Sequence, residues 1–343
     1  MMNTSILPYL QEQLSRHPGM KPRDVLKLCY QGAYGGDHLL TDWTHARVYF
    51  EQEYAGVLSS DEPLYELISP AMARVNLRAW KKAGLPGEWL FRLFTCSAKM
   101  PAPGNLSAYL QEASTLSLPG FAEARATYEA EGCPSVHHSE AYRQLEKPAY
   151  RVVHQQLLRL IPILERAALI QVKSPRVIAI DGRAASGKTT MADQLAFVLE
   201  AGVIHMDHFF LPPALRTPVR LDEPGGNVHY ERFQQEVLPY IRQTEAFSYR
   251  RFDCSQMDYG SSVTVPAASW RIVEGSYSLH PAFGEYYDFS VFSSVSPEEQ
   301  LKRIEARNGG KMLQMFQEKW IPMEEKYFTT YHISENAAIR CLR

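Results

Sequence analysis

The 343-residue chain has no run approaching the about 18 consecutive apolar residues that a membrane-spanning helix needs. Its first ten residues, Met1 to Leu10, contain no basic segment followed by an apolar core, so no secretory signal is read there. The cysteines Cys29, Cys96, Cys133, Cys254 and Cys341 are scattered and include no Cys-x-x-Cys pair. That spacing argues against a disulfide framework and against a structural zinc site. A basic surplus is also missing: 36 Lys and Arg stand against 38 Asp and Glu, a net charge of −2. A protein working on nucleic acid usually carries such a surplus. Internal repeats and low-complexity segments are absent as well. The resulting expectation is a cytoplasmic protein with neither a membrane nor a nucleic acid as partner.

Hydrophobic residues make up 45% and charged residues 22%, ordinary for a globular chain, and the length allows two domains. Residues 1–171 read as a mostly helical domain and 172–343 as an α/β domain. Helical patterns cover 4–16, 23–30, 41–55, 70–83, 87–96, 105–115, 120–131 and 149–170, broken by Pro, Gly and Asn. In the last of these, Val153, Leu157, Leu160, Leu164 and Ala168 form one stripe, and Pro162 should bend it.

The pattern changes at Lys173-Ser174-Pro175. Val177 to Ile180 is a short apolar run of the kind buried on both faces of a parallel sheet. Further strand patterns occur at 203–206, 270–273, 289–292 and 338–342, and alternation with helices predicts a doubly wound parallel sheet. After the first strand, Gly182-Arg183-Ala184-Ala185-Ser186-Gly187-Lys188-Thr189 fits the phosphate-loop pattern G-x-x-x-x-G-K-[ST] without a mismatch. Glycines let successive N–H groups turn inward toward phosphate oxygens, and the helix starting near Lys188 adds its positive end. Residues 182–190, Thr190 included, are therefore the candidate ATP-binding residues. Lys188 would reach the β- and γ-phosphates, and the Thr189 hydroxyl would serve Mg²⁺.

Phosphoryl transfer to a small molecule also needs a carboxylate to take the proton of the attacking hydroxyl and an acid to help hold the metal. Asp207 closes the second predicted strand and Glu274 the third, and strand ends in open α/β sheets converge on the ligand crevice. The strings Ile180-Asp181-Gly182 to Thr190, Met206-Asp207-His208-Phe209-Phe210 and Val273-Glu274-Gly275 resemble those of the uridine kinase and phosphoribulokinase family. The resemblance extends over roughly 175–332 and includes a lid-like segment, Gln300 to Arg307. It implies a P-loop kinase fold that uses ATP and Mg²⁺. In it, Asp207 would be the general base, Glu274 would lie at the magnesium site, and Arg303 and Arg307 would belong to a mobile lid. The two arginines are four apart, so on a helix they share a face.

The same resemblance places the acceptor pocket in the long insertion after the second strand, giving His229, Tyr230, Arg251 and Asp253, with Asp207, as candidate substrate residues. The insertion departs from the family: Gly226-Asn227-Val228-His229-Tyr230 stands where Asn-x-Asp-His-Pro is usual. The acceptor, a small hydroxylated metabolite such as a nucleoside or related alcohol, stays open. In the helical half, Asp37, His38, His137, His138 and Glu140 form candidate metal or phosphate clusters, although adjacent histidines on a helix diverge by about 100°. That half could shape the acceptor site, form a homodimer contact or bind a second ligand. Two other readings remain: an ATP-driven switch, and a bifunctional enzyme with separate N-terminal chemistry. The switch lacks the acidic pair it would want after the third strand, since Gly275-Ser276 follows Glu274.

Overall fold

The apolar run at Val177 becomes the middle of a sheet because every residue from Val177 to Gly182 is shielded on both faces. This architecture is that of a computed structural model, which describes residues 5–40, 42–102, 104–171 and 175–342. The chain divides into two units, Met1–Ala168 and Leu169–Arg343. Of the expected change point, Lys173 and Ser174 lie outside the described residues, as does Pro103.

The N-terminal unit is helical, but it also holds a three-stranded antiparallel sheet in the order β1-β2-β3: β1 (Tyr65–Leu67), β2 (Met72–Asn76) and β3 (Tyr150–His154). Two helical expectations are corrected here. The span 70–83 is a strand followed by a short helix, Leu77–Lys82. The span 149–170 is a strand, a 3-10 turn (Gln155–Leu160) and a helix (Ile161–Ala168). Pairing decides the matter, because Ala73 lies opposite Val153 and both are fully buried. The stripe Val153, Leu157, Leu160, Leu164 is buried as a helix would bury it, yet the backbone beneath changes form twice. Pro162 falls at the start of the final helix, where its missing N–H leaves no bond unmade, so it begins that helix and does not bend one.

The C-terminal unit carries a five-stranded parallel sheet in the order β10-β9-β4-β8-β5, formed by β4 (Arg176–Gly182), β5 (Gly202–His205), β8 (Trp270–Glu274), β9 (Phe289–Ser294) and β10 (Ile339–Leu342). Between β5 and β8 the insertion folds as an antiparallel hairpin of β6 (Phe247–Asp253) and β7 (Asp258–Val265). The register levels two ends that matter for a ligand: Ile180 and His205 both lie beside Glu274, so β8 and β5 finish together while β4 runs on to Gly182. Met206, Phe209, Phe233 and Tyr327 fill the core on one side of this sheet. Among the described residues, no helix is long and apolar enough to cross a membrane.

Candidate active site

The loop after β4 can exist only with glycine at its first position. Gly182 has φ +137°, and a Cβ there would fall 1.9 Å from the Ser293 carbonyl oxygen of the neighbouring strand. Gly187 (φ +88°) turns the chain into the helix Lys188–Leu199. The first turn of a helix has no internal acceptors for its N–H groups, so these are directed back at the loop. Lys188 is folded over the loop, donating to the carbonyl oxygens of Gly182 at 2.7 Å and Arg183 at 2.9 Å. The loop is further pinned by Asp181, which is fully buried. Asp181 accepts from the backbone N–H groups of Gly182, Tyr277 and Leu279 and from the Tyr327 hydroxyl at 2.8 Å.

A cleft of about 480 Å³ opens at these strand ends. Lys188, Thr189, Asp207, Glu274, Arg303 and Arg307 all line it. Thr189 Oγ1 lies 3.2 Å from a Glu274 carboxylate oxygen. Glu274 is in turn held by His205, whose Nδ1 is 2.6 Å from its other oxygen. The hydrogen bond to Glu274 raises the His205 pKa against the effect of burial. Asp207 does not end a strand as expected; it sits in the 3-10 turn Met206–Phe209 that follows β5. Its carboxylate is open to solvent within the cleft, but the surrounding walls, and after them the Glu274 charge, push its pKa upward.

The proposed lid residues lie on the helix Pro297–Asn308. Arg303 pairs with Glu299 at 2.8 Å and reaches the Ala185 carbonyl oxygen at 3.3 Å, and Gln300 donates to the Ala184 carbonyl oxygen. Arg307 is exposed, and its Nε donates to Asn308.

The other four substrate candidates are not among the residues that line the cleft. His229 caps the helix Tyr230–Glu236 through its ring nitrogen, and Tyr230 is packed between the Arg220 guanidinium, 3.6 Å from its ring, and the His280 ring. Arg251 and Asp253 pair with each other on the exposed hairpin, where Ser255 first and then Arg251 lower the Asp253 pKa to about 2. The lining holds other insertion residues instead: Arg216, Asn227, and Cys254 and Met257 from the hairpin turn. The Asn227 Oδ1 is buried without a partner among the described residues.

Sequence reasoning also missed a residue far along the chain. Glu324, on the helix Ile321–Tyr331, places one carboxylate oxygen 3.0 Å from the backbone N–H of Ala184 and the other 2.6 Å from the Ser276 hydroxyl. Burial raises its pKa, opposed by the nearby Lys188 and by the Ser276 hydrogen bond. Its neighbour Glu325 clasps Arg183 with both oxygens, at 2.8 and 2.9 Å. No local signal marks either acid as a loop partner, since more than a hundred residues separate them from the loop.

No family model matches the chain, and neither does any curated protein. Solved structures do resemble it. One is described as a possible uridine kinase from Bacillus stearothermophilus: 18% identity, TM-score 0.43, covering 55% of this chain and 99% of that one. Another, a candidate fructose transport system kinase from Silicibacter sp. TM1040, has 21% identity and a TM-score of 0.40 over 52% and 94% of the two chains. A third, D-glycerate 3-kinase from Cryptococcus neoformans, has 14% identity and a TM-score of 0.34 over 49% and 85%. The parallel sheet and the loop that follows its central strand make the C-terminal unit an α/β P-loop fold.

The residues present suit ATP and Mg²⁺. Thr189 and Glu274 offer adjacent oxygen donors of the hard type, and few of them, as suits an ion that keeps waters and phosphate oxygens in its shell. Among the described residues no cluster of three or more His, Cys, Asp or Glu stands ready for a metal. The N-terminal histidines separate: His138 is buried and His137 exposed, and the His38 ring packs edge-on to Tyr30. The Asp37 side chain lies outside the described residues.

Proposed function

We propose that the C-terminal unit is an ATP-dependent kinase that phosphorylates a hydroxyl of a small metabolite. The observation carrying this reading is that Asp207, from the turn after β5, and Lys188 and Thr189, from the helix after the glycine loop, line one cleft. Bound ATP with Mg²⁺ supplies the phosphoryl group and neutralises part of its charge. Thr189 and Glu274 would hold the metal, with His205 fixing the Glu274 carboxylate. Asp207 would accept the proton of the attacking hydroxyl, for which a raised pKa makes it a better-matched base. Lys188, Arg303 and Arg307 would stabilise the charge spreading over the phosphoryl oxygens. Arg216, Asn227 and the hairpin turn would contact the acceptor, and the unpaired Asn227 Oδ1 suits a donor hydroxyl.

The test is ADP release with ATP and Mg²⁺ across nucleosides, ribosides, sugars and other alcohols, using the intact chain and Asp207→Asn. Stimulation by one acceptor class, lost in Asp207→Asn while ATP binding persists, is the expected result. Hydrolysis independent of any acceptor, and unaffected by Asp207→Asn, would replace the kinase with an ATP-driven switch.

A further inference from the structure

The N-terminal unit buries a polar network that phosphoryl transfer does not use. Asp24, fully buried, accepts from the backbone N–H groups of Lys21 and Ser139 and from the Ser139 hydroxyl, and lies 3.1 Å from His138 Nδ1. With a carboxylate facing Nδ1–H, neutral His138 presents its Nε2 lone pair, which accepts from the Tyr150 hydroxyl at 2.6 Å. The Arg74 guanidinium, 2% exposed, stacks 4.5 Å above the Tyr150 ring and donates to Gln31 and Gln13. Buried charge on this scale costs stability unless fully partnered, and such clusters concentrate at functional sites.

A cleft of about 400 Å³ opens onto the network, within the range of metabolite pockets, and Arg74, Tyr150 and Tyr142 form part of its wall. With Arg74 counted, its arginines and glutamates balance at three each. Arg16 and Arg78 add two guanidinium groups, while Glu62, Glu66 and Glu146 add three carboxylates. The pairs between them are long: Arg16 to Glu66 is 3.6 Å, Arg74 to Glu66 3.5 Å and Arg78 to Glu62 3.7 Å. A tight charge-assisted bond is about 2.7–2.9 Å, so these groups retain capacity for a ligand. Arg16 also pairs with Glu12, Arg78 with the Lys147 carbonyl oxygen, and Glu146 with His17.

We propose that this cleft is a second ligand site, made for a small zwitterion of the amino-acid kind. Its carboxylate meets the guanidinium groups, its ammonium meets the glutamates, and its body lies against the Tyr142 and Tyr150 rings. The alternatives fit less well. Three carboxylates oppose a nucleotide or other polyphosphate, three guanidinium groups oppose a polyamine, and an uncharged sugar would cover these charges without pairing them.

Calorimetric titration of the intact chain, without ATP, with each of the common amino acids tests this. At least one is expected to bind at millimolar concentration or below. Its carboxamide and its N-acetyl form should each bind about tenfold more weakly or worse, the scale of one lost charge-assisted contact. Arg78→Gln and Glu146→Gln, both at half-buried positions and with folding checked by circular dichroism, should each weaken binding to the same degree, while Lys188→Ala leaves it unchanged. The proposal fails if no amino acid binds at millimolar concentration, or if the blocked forms bind as well as the free one. It also fails if the Arg78 and Glu146 variants fold but have no effect, or if Lys188→Ala abolishes the signal and so places the ligand on the phosphate loop. None of these outcomes depends on whether the C-terminal unit is a kinase.

Discussion

Asp207 is a single carboxylate whose neighbourhood sets the pH at which it can work. Its pKa is raised by the crowding of the cleft walls and then by Glu274, so it stays protonated to a higher pH than a free aspartate. As the base proposed above it must be ionised, so transfer should fall as pH drops through that raised pKa, and the acid limb of the kcat profile should vanish in Asp207→Asn. The same substitution should lower kcat by about 10²–10⁴, the usual contribution of a general base, with ATP affinity nearly unchanged by calorimetry. Glu324 offers a second residue-scale prediction. Its carboxylate already occupies the Ala184 N–H, which a phosphate oxygen would want. Glu324→Gln removes a negative charge from that place, and should tighten ATP binding by roughly the tenfold that about 1.4 kcal/mol represents. Weaker binding in the variant would mean that Glu324 serves to shape the loop. Glu274 was legible in the sequence as an acid at a strand end, and Asp207 nearly so, falling in the turn just after β5. Glu324 was not, because only the packing of a distant helix brings it to the loop.

At the scale of elements, the phosphate loop and its helix were the most readable part, and the helix starts at Lys188 as expected and runs to Leu199. The glycine spacing and the flanking patterns are local, so no distant contact is needed to anticipate them. The N-terminal strands were misread because Met72-Ala73-Arg74-Val75 buries residues on both faces, which leaves no alternation to find. In the insertion, the hairpin hid for another reason: its outward face is exposed and polar, as at Ser262 and Thr264. Consequently, Arg251 and Asp253 read as pocket residues although the hairpin pairs them on its exposed side. The helix Pro297–Asn308 lies against the loop through Gln300 and Arg303. Arg303→Ala should lower kcat by about 10²-fold if its guanidinium stabilises the transferring group, while Arg251→Ala changes kcat and KM little, both read from steady-state kinetics.

At the scale of the whole molecule, the two units should respond differently to acid. In the N-terminal unit the shifted acids and bases that titrate below neutrality, Asp24, His138 and His154, are all shifted downward. Burial lowers the His138 pKa to about 4 from an ordinary 6.5, outweighing the hydrogen bond to Asp24. Between those values the unfolded chain binds the proton and the folded one does not, so stability falls as pH falls. For Asp24, burial would raise the pKa, but its hydrogen bonds from His138, Ser139 and Lys21 outweigh that and hold it low, so its contribution is lost at still lower pH. The C-terminal unit mixes signs: Asp181, Asp207 and Glu324 are raised while His208 is lowered to about 4. Hydrogen exchange from pH 7 toward pH 4 should therefore show protection lost first in residues 5–168, and earliest around β2 and β3. Loss beginning in the P-loop sheet would overturn this ordering.

The hairpin turn has a consequence for how such a protein can diversify. Cys254 and Met257 reach the cleft from a turn whose flanking strands pair with each other outside the parallel sheet. The residues proposed to hold phosphate lie on the loop after β4, on the helix that follows it and on the helix Pro297–Asn308, and share no backbone with that turn. On the proposed kinase reading, acceptor choice would drift through changes in a few turn positions while the nucleotide chemistry is inherited intact. A library randomised at 254–257 should yield folded variants with altered acceptor preference far more often than one randomised at 182–189.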